Sequence, residues 1–280
     1  MLKQRILTAL VLLAILLPAL IYPSFVPLAV VTLVLIAAGC WEWGRLNGLT
    51  QGPSLLLAGA GAVLCLASWR AGWIAAPLPW LWSAAGAAWV LVGGWLIARG
   101  VPLWPHVPRA LRLAVGVLAL WLAWLAMARA RAVGINFLLS VLCLVWAADI
   151  CAYFVGRAFG RRKLAPAISP GKSWEGVWGG MAGVLVLALV WAWADGRWQA
   201  SVPSLYTQLA GLGWLLALPA LLFLTAMSVV GDLVESLVKR SAGAKDSSQL
   251  LPGHGGVLDR VDALLPTLPL ALMISNFASR

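Results

Sequence analysis

Acidic side chains are scarce in this sequence: nine Asp and Glu stand against twenty Lys and Arg in 280 residues, and charged residues of all kinds make up only 10%. A soluble domain carries about a quarter charged residues. That class is excluded, and a chain that is 62% hydrophobic is read as an integral membrane protein. Histidine occurs twice and cysteine four times, at Cys40, Cys65, Cys143 and Cys151, within or at the ends of apolar runs and with no C-x-x-C. Such cysteines are packing residues, and neither a disulfide framework nor a zinc site is expected. The sequence has no internal repeat, no low-complexity tract and no polar interval longer than about 30 residues. Any active site therefore has to be built by helices and the loops between them.

A spanning helix needs about 20 apolar residues. Runs of that kind fall near 6–22, 25–41, 55–69, 79–98, 113–128, 134–155, 177–194, 209–230 and 262–277. They predict an all-α, polytopic protein with about nine transmembrane helices. The run at 55–69 is short and the last contains Pro266 and Pro269, so either reads equally as re-entrant and eight is the alternative count. The start, MLKQR followed by ILTALVLLAILLPALIY, has the basic front of a signal peptide. Its apolar run is long and no A-x-A site follows, so it is read as an uncleaved first helix. The tract Val101–Arg109 holds three prolines and is expected to be non-helical, with His106 a loop residue. Many of the eighteen tryptophans, among them Trp41, Trp43, Trp69, Trp104, Trp174 and Trp198, stand near predicted helix ends, as an interfacial aromatic belt does.

With the N-terminus in the cytoplasm, fifteen basic residues, Lys3 and Arg5 among them, fall inside and five, Arg70, Arg129, Arg131, Arg197 and Arg280, fall outside. This follows the positive-inside rule. The net charge of +11 is accordingly read as topology and attraction to anionic lipid, with no nucleic acid as partner. The same assignment brings two polar loops, near 156–176 and 231–261, to the cytoplasmic face. The chain is expected to divide into about five N-terminal helices over 1–133 and a second membrane region over 134–280 that carries both polar loops and any active site.

Five of the nine carboxylates, Asp232, Glu235, Asp246, Asp259 and Asp262, fall within 31 residues. Charge in hydrocarbon costs roughly 2.5–3.5 kcal/mol even on the lenient insertion scale, so the cluster points to a cation or a polar substrate, with an ordinary solvated loop as the alternative. Asp232, Glu235, Ser236 and Lys239 are spaced i, i+3, i+4 and i+7 and line one helix face. In SAGAKDSSQLLPGHGG, the glycines Gly253, Gly255 and Gly256 permit a nest of N–H groups around an anion, with Lys239, Arg240 and Lys245 adding charge. Asp259 and Asp262 stand three apart at the start of the last helix. They suit either a magnesium ion on substrate phosphates or the capping of a helix start; Asp246 and Arg260 beside them favour metal. Asp149, inside a predicted span, is a functional candidate by its position alone. Gly171, Lys172 and Ser173 imitate a Walker A motif, but the glycine that motif requires at 166 is Pro166.

The residues SLVKRSAGAKDSSQLLPGHGGVLDRVD, from Ser236 to Asp262, resemble the signature S-x-x-K-R-x4-K-D … P-x-H-G-G-x-x-D-R-x-D of the phosphatidate cytidylyltransferases, with no departure at the defining positions. The stretch DICAYFVGRAFGRRKLAPAISPGKSWEG is similar to that family's second block, with Ser173 where threonine is common. The resemblance covers residues 146–262. It implies a bacterial inner-membrane enzyme that condenses CTP with phosphatidic acid, giving CDP-diacylglycerol and pyrophosphate, with its site on the cytoplasmic face and Mg2+ as cofactor. On that footing Asp246, Asp259, Lys239, Arg240, Lys245 and Arg260 are the expected catalytic residues. Ser169, Lys172, Ser173, Ser236, Gly253, His254, Gly255 and Gly256 are expected to bind substrate, and Asp149, Asp232, Asp246, Asp259 and Asp262 to serve the metal, Asp262 as ligand or as orienter. The expected partners are CTP, phosphatidic acid and the bilayer, and a homodimer is left open. A CTP-dependent lipid kinase and a secondary transporter using Asp149 and Asp232 are the competing classes. The transporter lacks matched broken helices in repeated halves, and the D-G-x-x-A-R pattern of CDP-alcohol phosphotransferases is absent.

Overall fold

The computed structural model describes residues 2–278; Met1, Ser279 and Arg280, and the side chains of Leu2, Lys3 and Arg5, lie outside the described residues, and with them the topological expectations placed on Lys3, Arg5 and Arg280. The chain runs through α1 (Leu2–Ile21), α2 (Val26–Leu46), α3 (Gln51–Arg70), α4 (Pro79–Arg99), α5 (Arg109–Val133) and α6 (Ile135–Phe159). A hairpin of β1 (Lys163–Ala165) and β2 (Ser169–Ser173) follows, then α7 (Trp174–Trp198), α8 (Leu205–Gly211), α9 (Trp214–Ser241) and α10 (Leu258–Ala278). Among the described residues, eight of these helices are long and apolar enough to cross a membrane, and α1 adds a shorter apolar helix, Ile6–Ile21. The protein is an all-α polytopic membrane protein.

Three local expectations are refined. The short third run extends to the 20-residue helix α3. The last helix accommodates Pro266 because a break after Val261 restarts the helix at Leu264, and a proline in the first turn forfeits no intrahelical bond. The proline-rich tract expected to be non-helical folds as a short 3-10 helix, Val101–His106, with a proline in its first turn. The hairpin is an element that the apolar runs did not announce. It pairs Lys163 with Ser173 and Ala165 with Ser169, between strands too short for an alternating apolar pattern to show.

Small residues set the packing that matters to the polar end of the bundle. Helices α6 and α7 run antiparallel in close contact: a Cβ on Gly176 would lie 2.9 Å from the Ala152 carbonyl oxygen, and one on Gly180 2.8 Å from that of Ala148. This is the small-xxx-small approach used where lipid supplies no hydrophobic drive between helices. On the other side, a Cβ on Gly231 of α9 would lie 2.4 Å from the Asp262 carbonyl oxygen, so α9 and α10 touch where both carry carboxylates. Gly180→Leu is expected to lower stability by about 1–3 kcal/mol through overpacking, seen as a reduced thermal midpoint in detergent. Gly196→Ala, where nothing lies within 4 Å, should leave that midpoint in place or raise it.

Candidate active site

The polar stripe predicted from its spacing lies on α9. Lys239, buried near the end of that helix, places its Nζ 2.5 Å from Glu235 Oε2 and 2.6 Å from Asp259 Oδ1. One ammonium thus ties α9 to the start of α10. Asp232, one turn before Ser236, accepts a hydrogen bond from its hydroxyl at 3.2 Å and forms an ion pair with Lys172 of β2. Asp149 on α6 lies within electrostatic range of Asp232 and Lys172, and Asp262 within range of Asp232, Lys172 and Lys239. Asp149, Asp232 and Asp262 therefore share one neighbourhood with Lys172 as its cation.

Asp259 is enclosed differently. Its Oδ2 accepts from the Gly256 N–H at 2.8 Å, the Ser247 N–H at 2.9 Å and the Ser247 hydroxyl at 2.9 Å, while Oδ1 takes Lys239. It holds the two ends of the segment between α9 and α10 together. Gly255 has a φ of +81°, and a Cβ there would lie 2.7 Å from Asp259 Oδ2. The glycine loop is thus folded around a carboxylate, and the Gly256 N–H read as a phosphate donor is already given to Asp259. Asp246 and Lys245 are exposed at the loop's start. Arg260 donates from Nε and Nη2 to the His254 carbonyl at 3.0 and 2.6 Å. Gly253, with φ +78°, turns the exposed tip beside His254.

The second polar block supports this cluster from the side. Arg240 donates to the Ile168 carbonyl at 3.3 Å and to the Ala244 carbonyl at 3.1 Å, docking the hairpin turn on the end of α9. Ser173 is buried and accepts from the Gly176 N–H at 3.2 Å, an N-cap on α7. Ser169 opens β2, and Lys172 and Ser173 close it on opposite faces, Lys172 towards Asp232 and Ser173 towards the start of α7. Glu175 accepts from the N–H groups of Arg161 and Arg162 at 3.1 and 3.2 Å.

Sequence reasoning passed over Glu42 on α2. It is fully buried, and its carboxylate accepts from Ser248 at 2.5 Å, Leu258 N–H at 2.8 Å and Val257 N–H at 2.9 Å. The available signal was weak: a lone carboxylate one residue beyond the predicted apolar run 25–41, between Trp41 and Trp43.

Hard oxygen donors suit magnesium, which commonly takes one or two carboxylates and completes its shell with waters and substrate phosphates. Among the described residues no three His, Cys, Asp or Glu side chains are arranged to hold an ion by themselves. A pair drawn from the neighbouring carboxylates Asp149, Asp232 and Asp262 would fit that partial set, whereas both oxygens of Asp259 are taken by protein donors. Towards the membrane, an apolar cavity of about 390 Å³ opens between α4, α5, α9 and α10. Its lining includes Trp89, Gly116, Ala119, Val234 and Glu235, and Val92, Val115 and Leu118 on it are exposed. Glu235 Oε1 lacks a hydrogen-bond partner among the described residues, so the cavity meets the charged cluster at the Glu235–Lys239 pair.

Comparison with known proteins places this geometry in context. The profile of the family described as "Cytidylyltransferase family" matches residues 3–278. A phosphatidate cytidylyltransferase of Pseudomonas aeruginosa is 40% identical over 275 residues, covering 96% of this chain and 95% of that protein. One of Haemophilus influenzae is 52% identical over 136 residues, covering 49% of this chain and 44% of its own. One of Brucella suis is 37% identical over 233 residues, covering 80% and 68%.

Lys239→Met would strand the buried Glu235 and take the cation from Asp259 Oδ1, and removing one partner of a buried pair costs about 3–5 kcal/mol. The expected outcome is a large fall in the unfolding midpoint in detergent, partly restored when Glu235→Gln removes the stranded charge.

Proposed function

The chain belongs to the cytidylyltransferase family, and from that premise we propose that its polar end joins CTP to phosphatidic acid on the cytoplasmic side of the membrane, releasing pyrophosphate. The observation that carries this reading is the meeting of a cationic, carboxylate-lined cluster with an apolar cavity at the Glu235–Lys239 pair. A lipid whose head is a phosphate and whose tails are hydrocarbon needs that junction; a water-soluble acceptor does not.

The reaction brings two anions together, so electrostatics governs the rate. A phosphate oxygen of the lipid attacks the α-phosphorus of CTP in line; the bond to the β-phosphate oxygen breaks and its electron pair leaves on pyrophosphate. The nucleophile is anionic at neutral pH and needs no strong base. The chain has to supply positive charge fixed where negative charge grows. Magnesium, when bound, would supply charge neutralisation, and one or two of Asp232, Asp262 and Asp149 would hold it. Lys172, freed from Asp232, is placed to take a phosphate oxygen, and Ser169 opens the same strand. Lys245 and Arg260 have no carboxylate partner among the described residues and can turn to the nucleotide. Lys239 bridges Asp259 and Glu235, and Arg240 keeps the hairpin docked. The lipid tail lies along the cavity, which sets the depth of its head.

The test uses purified protein in detergent with phosphatidic acid, magnesium and CTP labelled separately in cytosine and in the γ-phosphate. The expected result is cytosine label in lipid and γ label in pyrophosphate. Transfer of the γ label to a lipid alcohol would instead identify a CTP-dependent lipid kinase and overturn the reading.

A further inference from the structure

The N-terminal helices hold one polar group whose geometry exceeds a packing role. Glu42 stands in α2, one turn from its end, and is 0% exposed. Among the described residues no Lys, Arg or His forms an ion pair with it. Its charge is held by hydrogen-bond donors alone, all from residues 247–258: Oε1 accepts from the Ser248 hydroxyl and the Val257 N–H, and Oε2 from the Leu258 N–H and, at 3.3 Å, the Ser247 hydroxyl. Ser247 has one hydroxyl proton and lies nearer Asp259, at 2.9 Å, so three donors belong to Glu42 outright. Two of those are the N–H groups of Val257 and Leu258, at the entry to the four-residue turn Leu258–Val261 that opens α10.

The chemistry of the donors explains why the residue is a glutamate. Val257 N–H and Leu258 N–H each point at a different oxygen, and an N–H can only donate. Both atoms of the terminal group must therefore accept, which a carboxylate does and an amide does not. Gly256 carries an independent mark of the same arrangement: a Cβ there would lie 2.3 Å from Glu42 Oε1 and 2.1 Å from Ser247 Oγ. The two glycines of the loop are thus each fitted to a carboxylate, Gly255 to Asp259 and Gly256 to Glu42. A second strut comes from α1, where the Thr8 hydroxyl donates to the Pro252 carbonyl at 2.9 Å.

We propose that Glu42 is the positioning residue of the segment 247–258, a clasp from α2 that closes both ends of the loop and so fixes Asp259, Arg260 and the neighbouring Asp246 for substrate. It touches no substrate; it acts through the loop. The proposal rests on the functional reading above for its kinetic consequence but not for its structural one.

Glu42→Gln keeps the volume and sets an amide NH2 against a backbone N–H. In the full-length protein in detergent, kcat for cytidylyl transfer should fall by roughly a hundredfold, the scale of an ångström-size misplacement, with KM for CTP and for phosphatidic acid changed by less than about threefold. Glu42→Asp, which retains two acceptors, should recover part of kcat. A role in stability alone would lower the yield of folded protein and leave kcat per folded molecule intact. Trypsin gives a readout that needs no activity: cleavage after Lys245, which requires local opening, should be at least about tenfold faster in Glu42→Gln than in the wild type. Should Glu42→Gln not fold, Ser248→Ala removes a single donor and should lower kcat several-fold with KM unmoved. A folded Glu42→Gln protein with wild-type kcat and wild-type trypsin resistance, or a loss confined to KM, overturns the proposal. If the wild type transfers no cytidylyl group, the functional reading fails and the trypsin comparison still decides the clasp.

Discussion

A carboxylate buried in a membrane bundle is sustained only by donors or cations that surround it, and here two such carboxylates are surrounded by the same twelve-residue segment. Glu42 and Asp259 draw the N–H groups of Ser247, Gly256, Val257 and Leu258 inward, and Lys239 joins Asp259 to α9. Leaving a buried carboxylate or a buried N–H without its partner costs about 1–3 kcal/mol or more apiece, so the segment is over-determined. The glycines, the serines, the junction of α9 with α10 and the end of α2 are each the shape they are because these oxygens need partners.

The rest of the architecture delivers groups to that fixed loop. Close packing of α6 on α7 through Gly176 and Gly180 carries the hairpin, and with it Lys172, to Asp232. Close packing of α9 on α10 at Gly231 brings Asp232 and Asp262 into one neighbourhood. The apolar cavity then meets the cluster from the membrane side. The charged cluster and the apolar cavity are kept one ion pair apart, which is what the proposed lipid acceptor with an anionic head requires.

Much of this was legible in the sequence, for physical reasons that can be named. The i, i+3, i+4, i+7 spacing of Asp232, Glu235, Ser236 and Lys239 is a local property of a helix and survives folding unchanged. The membrane class followed from composition, and the family resemblance from fixed positions in residues 146–262. The purpose of the two glycines was not legible, because a glycine run is ambiguous between a nest for an outside anion and a fold around an inside one. Only the position of Asp259 Oδ2 and Glu42 Oε1 separates the two. Glu42 escaped notice because its partners lie 205 to 216 residues away in the chain and its neighbours, Trp41 and Trp43, read as an aromatic belt. The expected division at residue 133 likewise could not register that α1 and α2 reach the loop through Thr8 and Glu42. The hairpin was hidden by its brevity, and the capping role of Ser173 by its likeness to a phosphate-binding pattern.

The most direct measurement is amide hydrogen exchange across residues 245–258 of the wild-type protein in detergent, without substrate. The account predicts that the amides of Ser247, Gly256, Val257 and Leu258 exchange on the slow timescale of the surrounding helices, while the exposed tip around Gly253 exchanges quickly. Uniformly fast exchange through the whole segment would contradict it, because the loop would then be ordered by substrate alone and not by the carboxylates of the bundle.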